Sequence, residues 1–81
     1  MIATKEEGLF QEIKEEWDRA ETLYGPIISA EEGSAVIFKQ LSDFWDIVKE
    51  KQIYRNQNEK KRHELIQVAA MACRTIIDLG L

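Results

Sequence analysis

The stretch from Leu65 to Leu79, LIQVAAMACRTIIDL, constrains this chain more than any other. On a helix advancing ~100° per residue, Leu65, Ile66, Val68, Ala69, Ala70, Ala72, Cys73, Ile76, Ile77 and Leu79 spread over an arc of roughly 200°. A helix on the surface of a globular domain needs a stripe of only about 100°. This one needs apolar neighbours on two sides. A chain of 81 residues buries only about 60% of the surface of its unfolded form, so association is a natural way to enlarge its core. The rest of the chain can cover one side, and a second copy is the simplest source of the other. Ala69, Ala70, Ala72 and Cys73 are small enough to admit it closely. The expected architecture is all-α, with three main helices per chain assembling into helical bundles as a homodimer or higher homo-oligomer.

Two earlier helices complete the set. Thr4-Lys5-Glu6-Glu7 has the form of a capping box, in which threonine and glutamate satisfy one another's free backbone N–H groups. Behind it Leu9, Phe10, Ile13, Trp17, Ala20, Leu23 and Tyr24 make one stripe, and Gly25-Pro26 ends the helix. Ser29-Ala30-Glu31-Glu32 repeats the capping pattern. There Ile37, Phe38, Leu41, Phe44, Trp45 and Val48 form the apolar arc, which fades near residue 52. IYRNQN reads as the connection, Asn56-Gln57-Asn58-Glu59 as the cap of the last helix, and Gly80 as its terminator. No segment alternates in the manner of a strand, and the whole chain reads as one domain, 1–81.

Charge is uneven. Residues 1–32 carry three basic and nine acidic side chains, whereas 49–63 carry six basic ones (Lys49, Lys51, Arg55, Lys60, Lys61, Arg62) against Glu50 and Glu59. The basic cluster suits phosphates or an acidic partner. A net charge of −4 argues against general binding to duplex DNA, whose affinity comes mostly from positive charge. No apolar run approaches the ~20 residues of a membrane span, and no basic segment precedes an apolar one at the start. A cytoplasmic protein without a membrane partner is expected. With Cys73 as its one cysteine, the chain forms no internal disulfide and no cysteine-based zinc site. His63 has no second histidine to work with.

Polar residues interrupt the inner faces. On the second helix Val36, Gln40, Asp43 and Ile47 share a face, mixed as on a helix that borders a pocket or another subunit. On the third, Glu64, Gln67 and Met71 share one. Helical bundles hold divalent cations by converging carboxylates from neighbouring helices, and Mg²⁺ prefers such oxygen ligands. Asp43 and Glu64 are the well-placed acids, with Gln40 and Gln67 as neutral oxygen donors, while Glu32 lies more than two turns before Asp43. Two-metal phosphate chemistry commonly needs three or four carboxylates. By charge alone, one weakly held metal fits this set better than two.

Residues 29–79 resemble the small, often phage-encoded MazG-like all-α nucleoside triphosphate pyrophosphohydrolases. The likeness is carried by Ser29-Ala30-Glu31-Glu32-Gly33, by Phe44-Trp45, and by Glu64-Leu65-Ile66-Gln67-Val68-Ala69-Ala70-Met71-Ala72. It covers about fifty of the 81 residues, and the first helix matches only in character. The resemblance implies paired subunits and Mg²⁺ bound through an acidic motif, usually Glu-Glu-x-x-Glu, on the earlier helix, with an acidic residue or pair on the later one. It also implies cleavage of a nucleoside triphosphate to monophosphate and pyrophosphate. By position that motif is Lys39-Gln40-Leu41-Ser42-Asp43 here. Glu64 is kept, and Gln67 stands where many relatives carry aspartate.

Lys39 in place of a ligand carboxylate changes the local charge by two units where a cation would sit. It can pair with Asp43 one turn on, or contact a triphosphate directly. The leading expectation is therefore a catalytically eroded protein that binds a nucleotide or a protein partner, with no assigned catalytic residue. By family habit this implies a phage-type host-modulating or anti-defence role. The alternative is a working Mg²⁺-dependent pyrophosphohydrolase using Asp43 and Glu64. In either case Lys39, Lys60, Lys61 and Arg62 are the candidate phosphate contacts, and Trp45 the candidate for stacking on a base.

Overall fold

A computed structural model describes residues 4–50 and 57–81, and among these all regular structure is helical. The helices are α1 (Lys5–Tyr24), α2 (Ala30–Lys49) and α3 (Asn58–Leu79). The first cap forms in full. The Thr4 hydroxyl accepts from the Glu7 N–H at 3.1 Å, and the Glu7 carboxylate accepts from the Thr4 N–H at 3.4 Å. Gly25, at φ 74°, closes α1 by donating to the Glu21 carbonyl. A side chain at this φ would be strained, which is why the chain turns there.

The second cap is half of the expected box. The Ser29 hydroxyl accepts from the Glu32 N–H at 3.1 Å, but the Glu32 carboxylate accepts from the Ile28 N–H at 3.2 Å rather than from Ser29. α2 stops at Lys49, short of residue 52, because Glu50 is already extended (φ −66°, ψ 137°). Residues 51 and 52, most of the expected connection, and Asn56 lie outside the described residues. Asn58 and Glu59 belong to α3 itself, whose N-cap Gln57 makes no side-chain capping bond. Gln57 instead donates to the Glu50 carboxylate at 3.0 Å, tying the end of α2 to the start of α3. At the far end Gly80 sits at φ 68°. The Leu81 N–H reaches the Ile76 carbonyl and the Gly80 N–H the Ile77 carbonyl, a Schellman closure.

α3 is central. Among the described residues α1 and α2 each pack against it and not against one another. Pairings Glu12–Arg62, Glu16–Gln67 and Glu21–Arg74 rise together in number, so α1 runs parallel to α3. α2 runs antiparallel, bringing Gly33 against Thr75 and Glu50 against Gln57. At Gly33 the two backbones come so close that an added Cβ would lie 2.7 Å from the Thr75 methyl.

The core is Ala20, Ala70 and Met71, with Ile13, Trp17, Val36 and Ile37 packed around it. Ile27, in the α1–α2 connection, is also buried. Much of the expected stripe is not in that core. Phe10, Leu23 and Tyr24 on α1, and Phe38, Leu41, Trp45 and Val48 on α2, are exposed. Contact through Gly33 turns α2 so that its mixed face, Val36 and Gln40 included, looks toward α1. The arc of α3 is wide partly because two helices of its own chain flank it, yet Leu65, Ile76 and Ile77 remain exposed.

Candidate functional site

Because α1 and α2 do not touch, a cavity of about 450 Å³ opens between them with α3 as its floor. That is within the ~300–1,000 Å³ of small-molecule sites. Ala20, Ile27, Val36 and Met71 make its apolar part, and the Tyr24 ring stands at its edge. α1 adds Glu16 and Arg19, α2 adds Glu32, Lys39, Gln40 and Asp43, and α3 adds Gln67 and Arg74.

The charges here are already matched. Arg19 grips Glu16 with two hydrogen bonds, at 2.9 and 2.5 Å. The Gln67 amide donates to the same carboxylate at 3.5 Å. The Arg19 hydrogen bond is the main reason the Glu16 carboxyl is held below its ordinary range. Lys39 donates to Asp43 at 3.3 Å, one turn away. Arg74, only 3% exposed, donates to the Glu21 carboxylate at 3.0 Å and to the Gly25 carbonyl at 2.7 Å. A third N–H points at the Met71 sulfur. A buried guanidinium is tolerated because its donors are used. Beside it, the Asp78 carboxylate accepts from the Ile27 N–H at 2.8 Å. A hydrogen bond with Glu21, that backbone N–H and the nearby Arg74 charge hold Asp78 below its ordinary range. Arg74 and Asp78 thus fasten the α1–α2 connection to the end of α3.

Of the residues singled out in the sequence, Lys39, Gln40, Asp43 and Gln67 meet in this cleft. Glu64 is not among the lining residues. The Gly33–Thr75 register of two antiparallel helices rising equally per residue puts Glu64 at the level of Phe44. Its Oε2 atom is buried without a hydrogen-bond partner among the described residues. Lys60 is exposed on the first turn of α3. Lys61 and Arg62 border a separate apolar groove with Leu9, Ile13 and Leu65, and Arg62 is bound bidentately by Glu12. Trp45 is exposed and not part of the cleft. Glu32, set aside on distance, does line the cleft, at the end opposite Asp43: eleven residues at 1.5 Å rise separate them by roughly 16 Å. Sequence reasoning missed Glu16, Arg19, Tyr24 and Arg74, whose arrival depends on how α1 docks. Arg74 alone carried a signal, as a charge set inside the apolar arc of α3.

These donors do not suit a divalent cation. Among the described residues no three histidine, cysteine, aspartate or glutamate side chains come together to hold one. Asp43 is engaged by Lys39, and Glu16 by Arg19. The cleft can hold a ligand by shape, amide hydrogen bonds and exchange of its ion-pair partners. Compared with protein-family models, curated proteins and solved structures, the chain matches none of them.

Proposed function

We propose that this chain is a MazG-like helical protein with an eroded metal motif, which associates with copies of itself and binds a nucleotide in the α1–α2 cleft without hydrolysing it. The observation that carries this reading is the Lys39–Asp43 ion pair. It sets a cation on the surviving carboxylate of the motif, at the wall of a nucleotide-sized cleft. Lys39 and Arg19, both about half exposed or more, can turn from their acids toward phosphates. Gln40 and Gln67 offer amides to a base edge, and Tyr24, at the mouth, replaces Trp45 as the ring available for stacking.

Nucleoside triphosphates with Mg²⁺ or Mn²⁺ test this, with thermal stability and pyrophosphate release followed together. The expected result is stabilisation by one or more nucleotides, with no release. A ligand at a hundred times its Kd adds about 2.7 kcal/mol. The competing reading, a Mg²⁺-dependent pyrophosphohydrolase using Asp43 and Glu64, draws support from the unpartnered Glu64 oxygen. Release that Glu64→Gln abolishes would establish it and remove ours. Silence in both assays would leave a protein partner as the ligand.

A further inference from the structure

Opposite the cleft, the molecule presents apolar side chains that none of the described residues covers. Phe38, Leu41, Trp45 and Val48 are 71, 48, 58 and 41% exposed. Their spacing of three, four and three residues is that of a helix-packing seam. Taking Gly33 as the direction from α2 to α3, they lie about 60–140° to one side at ~100° per residue. Val36, Gln40 and Asp43 lie to the other side, on the cleft. α3 repeats the pattern on its own back: Leu65 and Ile76, 46 and 49% exposed, fall in line with Ala69 and Ala72 at spacings of four, three and four. The two seams are neighbours on one antiparallel helix pair.

We propose that this α2–α3 back face is where a second copy of the chain docks, forming a two-fold, four-helix core; the inference rests on the self-association proposed above and names its surface. An antiparallel helix pair is suited to pairing with itself, because a two-fold axis lays α2 of each copy across α3 of the other. By the Gly33–Thr75 register the two seams overlap around Leu41 and Ala69, which sets the axis there. Ala69 and Ala72 allow close approach at that point.

Area favours the same occupant. The chain exposes 6244 Å², where a folded monomer of this mass exposes about 5,000 Å². The excess, roughly 1,200 Å², is above the ~800 Å² each partner contributes to a stable interface. Its radius of gyration, 14.2 Å, likewise exceeds the ~12 Å of a compact monomer of this length. One layer of three helices leaves a face bare, and domains are built from two layers or more.

Sedimentation equilibrium at micromolar concentration tests this on the intact chain and on two variants. The parent should weigh twice the 9.4 kDa of one chain. Leu41→Glu with Trp45→Glu should weigh one chain mass with its helical circular dichroism intact, since both residues are exposed in the single subunit. Leu23→Glu, exposed on α1 away from this face, should remain a dimer. In a Trp17→Phe background, the Trp45 emission should move to the red as the protein is diluted through dissociation. A monomeric parent would overturn both the self-association and its surface. A dimer that survives the Leu41–Trp45 change, or that Leu23→Glu breaks, would overturn the surface alone. An emission unchanged across dissociation would overturn it too.

Discussion

The Lys39 ammonium lies 3.3 Å from an Asp43 carboxylate oxygen across one turn of α2, and that contact separates a binding cleft from a metal centre. The pair is exposed, so it adds little to stability, about 0–1 kcal/mol for pairs of this kind. Its effect is on charge. While Lys39 stays, a divalent cation approaching Asp43 meets a like charge before it meets a ligand.

Lys39→Glu combined with Gln40→Glu should therefore restore cation binding. Without metal, the carboxylate introduced at position 39 would repel Asp43 at i, i+4 and cost a few tenths of a kcal/mol, roughly what such pairs cost on helices. With Mn²⁺ at ten times its Kd the loss should reverse, adding about 1.4 kcal/mol. Melting temperatures in EDTA and in Mn²⁺ decide the matter. A parent that ignores Mn²⁺ beside a double variant that responds is the expected result, and a double variant that also ignores it means the motif is not a former metal site.

The acid limb of stability should depend on Asp78. Its folded pKa is lowered from the ordinary 3.8 by Glu21, by the Ile27 N–H and by Arg74. A depressed carboxylate contributes stability that is complete above its unfolded pKa and disappears as pH falls through the folded value. Glu16, lowered chiefly by Arg19 from 4.5, acts in the same direction. The melting temperature should therefore fall as pH drops below about 4. Asp78→Asn keeps an acceptor for the Ile27 N–H but cannot titrate, so its curve should be flatter over that window. An unchanged slope would assign the acid sensitivity to the other carboxylates.

Gly33 is needed for contact rather than for conformation. An alanine there would place its methyl 2.7 and 2.8 Å from the Thr75 γ atoms. Thr75 is not free to swing away, because its hydroxyl donates to the Met71 carbonyl at 2.8 Å. Alanine improves helix propensity by about 0.8–1.0 kcal/mol, while overpacking costs about 1–3 kcal/mol. Gly33→Ala should lower stability by about 1 kcal/mol, the difference between these two effects, and Gly33→Ala with Thr75→Ala should recover it. Chemical denaturation of the four proteins in the cycle measures the coupling. Additive effects would mean that the two helices do not meet at this point.

Local signals carried most of the helix boundaries into view. Thr4, Gly25, Ser29 and Gly80 act within four or five residues of themselves, so their chemistry is readable from neighbours alone. Side-chain placement was harder, because periodicity shows that an apolar face exists without showing what covers it. Phe38, Leu41, Trp45 and Val48 form the stronger stripe of α2, yet the chain turns its weaker face, with Val36 and Gln40, toward its own core. Gly33 decides this by permitting close approach to α3, a fact that lives in the pairing of two helices. The cleft was half legible for the same reason. Gln40, Asp43 and Gln67 were recognisable as polar residues out of place, whereas Glu16 and Arg19 look like ordinary surface residues until α1 is docked.

Glu64 gives the last test, since its burial has a cost that can be measured. Its Oε2 atom is cut off from solvent without a donor among the described residues, and a buried group left in that state costs about 1–3 kcal/mol. Nothing in the packing of α2 on α3 requires a carboxylate at this position. Glu64→Leu should therefore raise stability by about 1 kcal/mol, toward the lower end of that range because the residue is only partly buried. Urea denaturation, with the denaturant slope unchanged, measures it. A gain would mark Glu64 as a residue the fold tolerates rather than uses, as expected of a position left from a former ligand set. A loss would show that its carboxylate is satisfied in solution and holds α3 in place, and the link from Glu64 to a vanished metal site would fall.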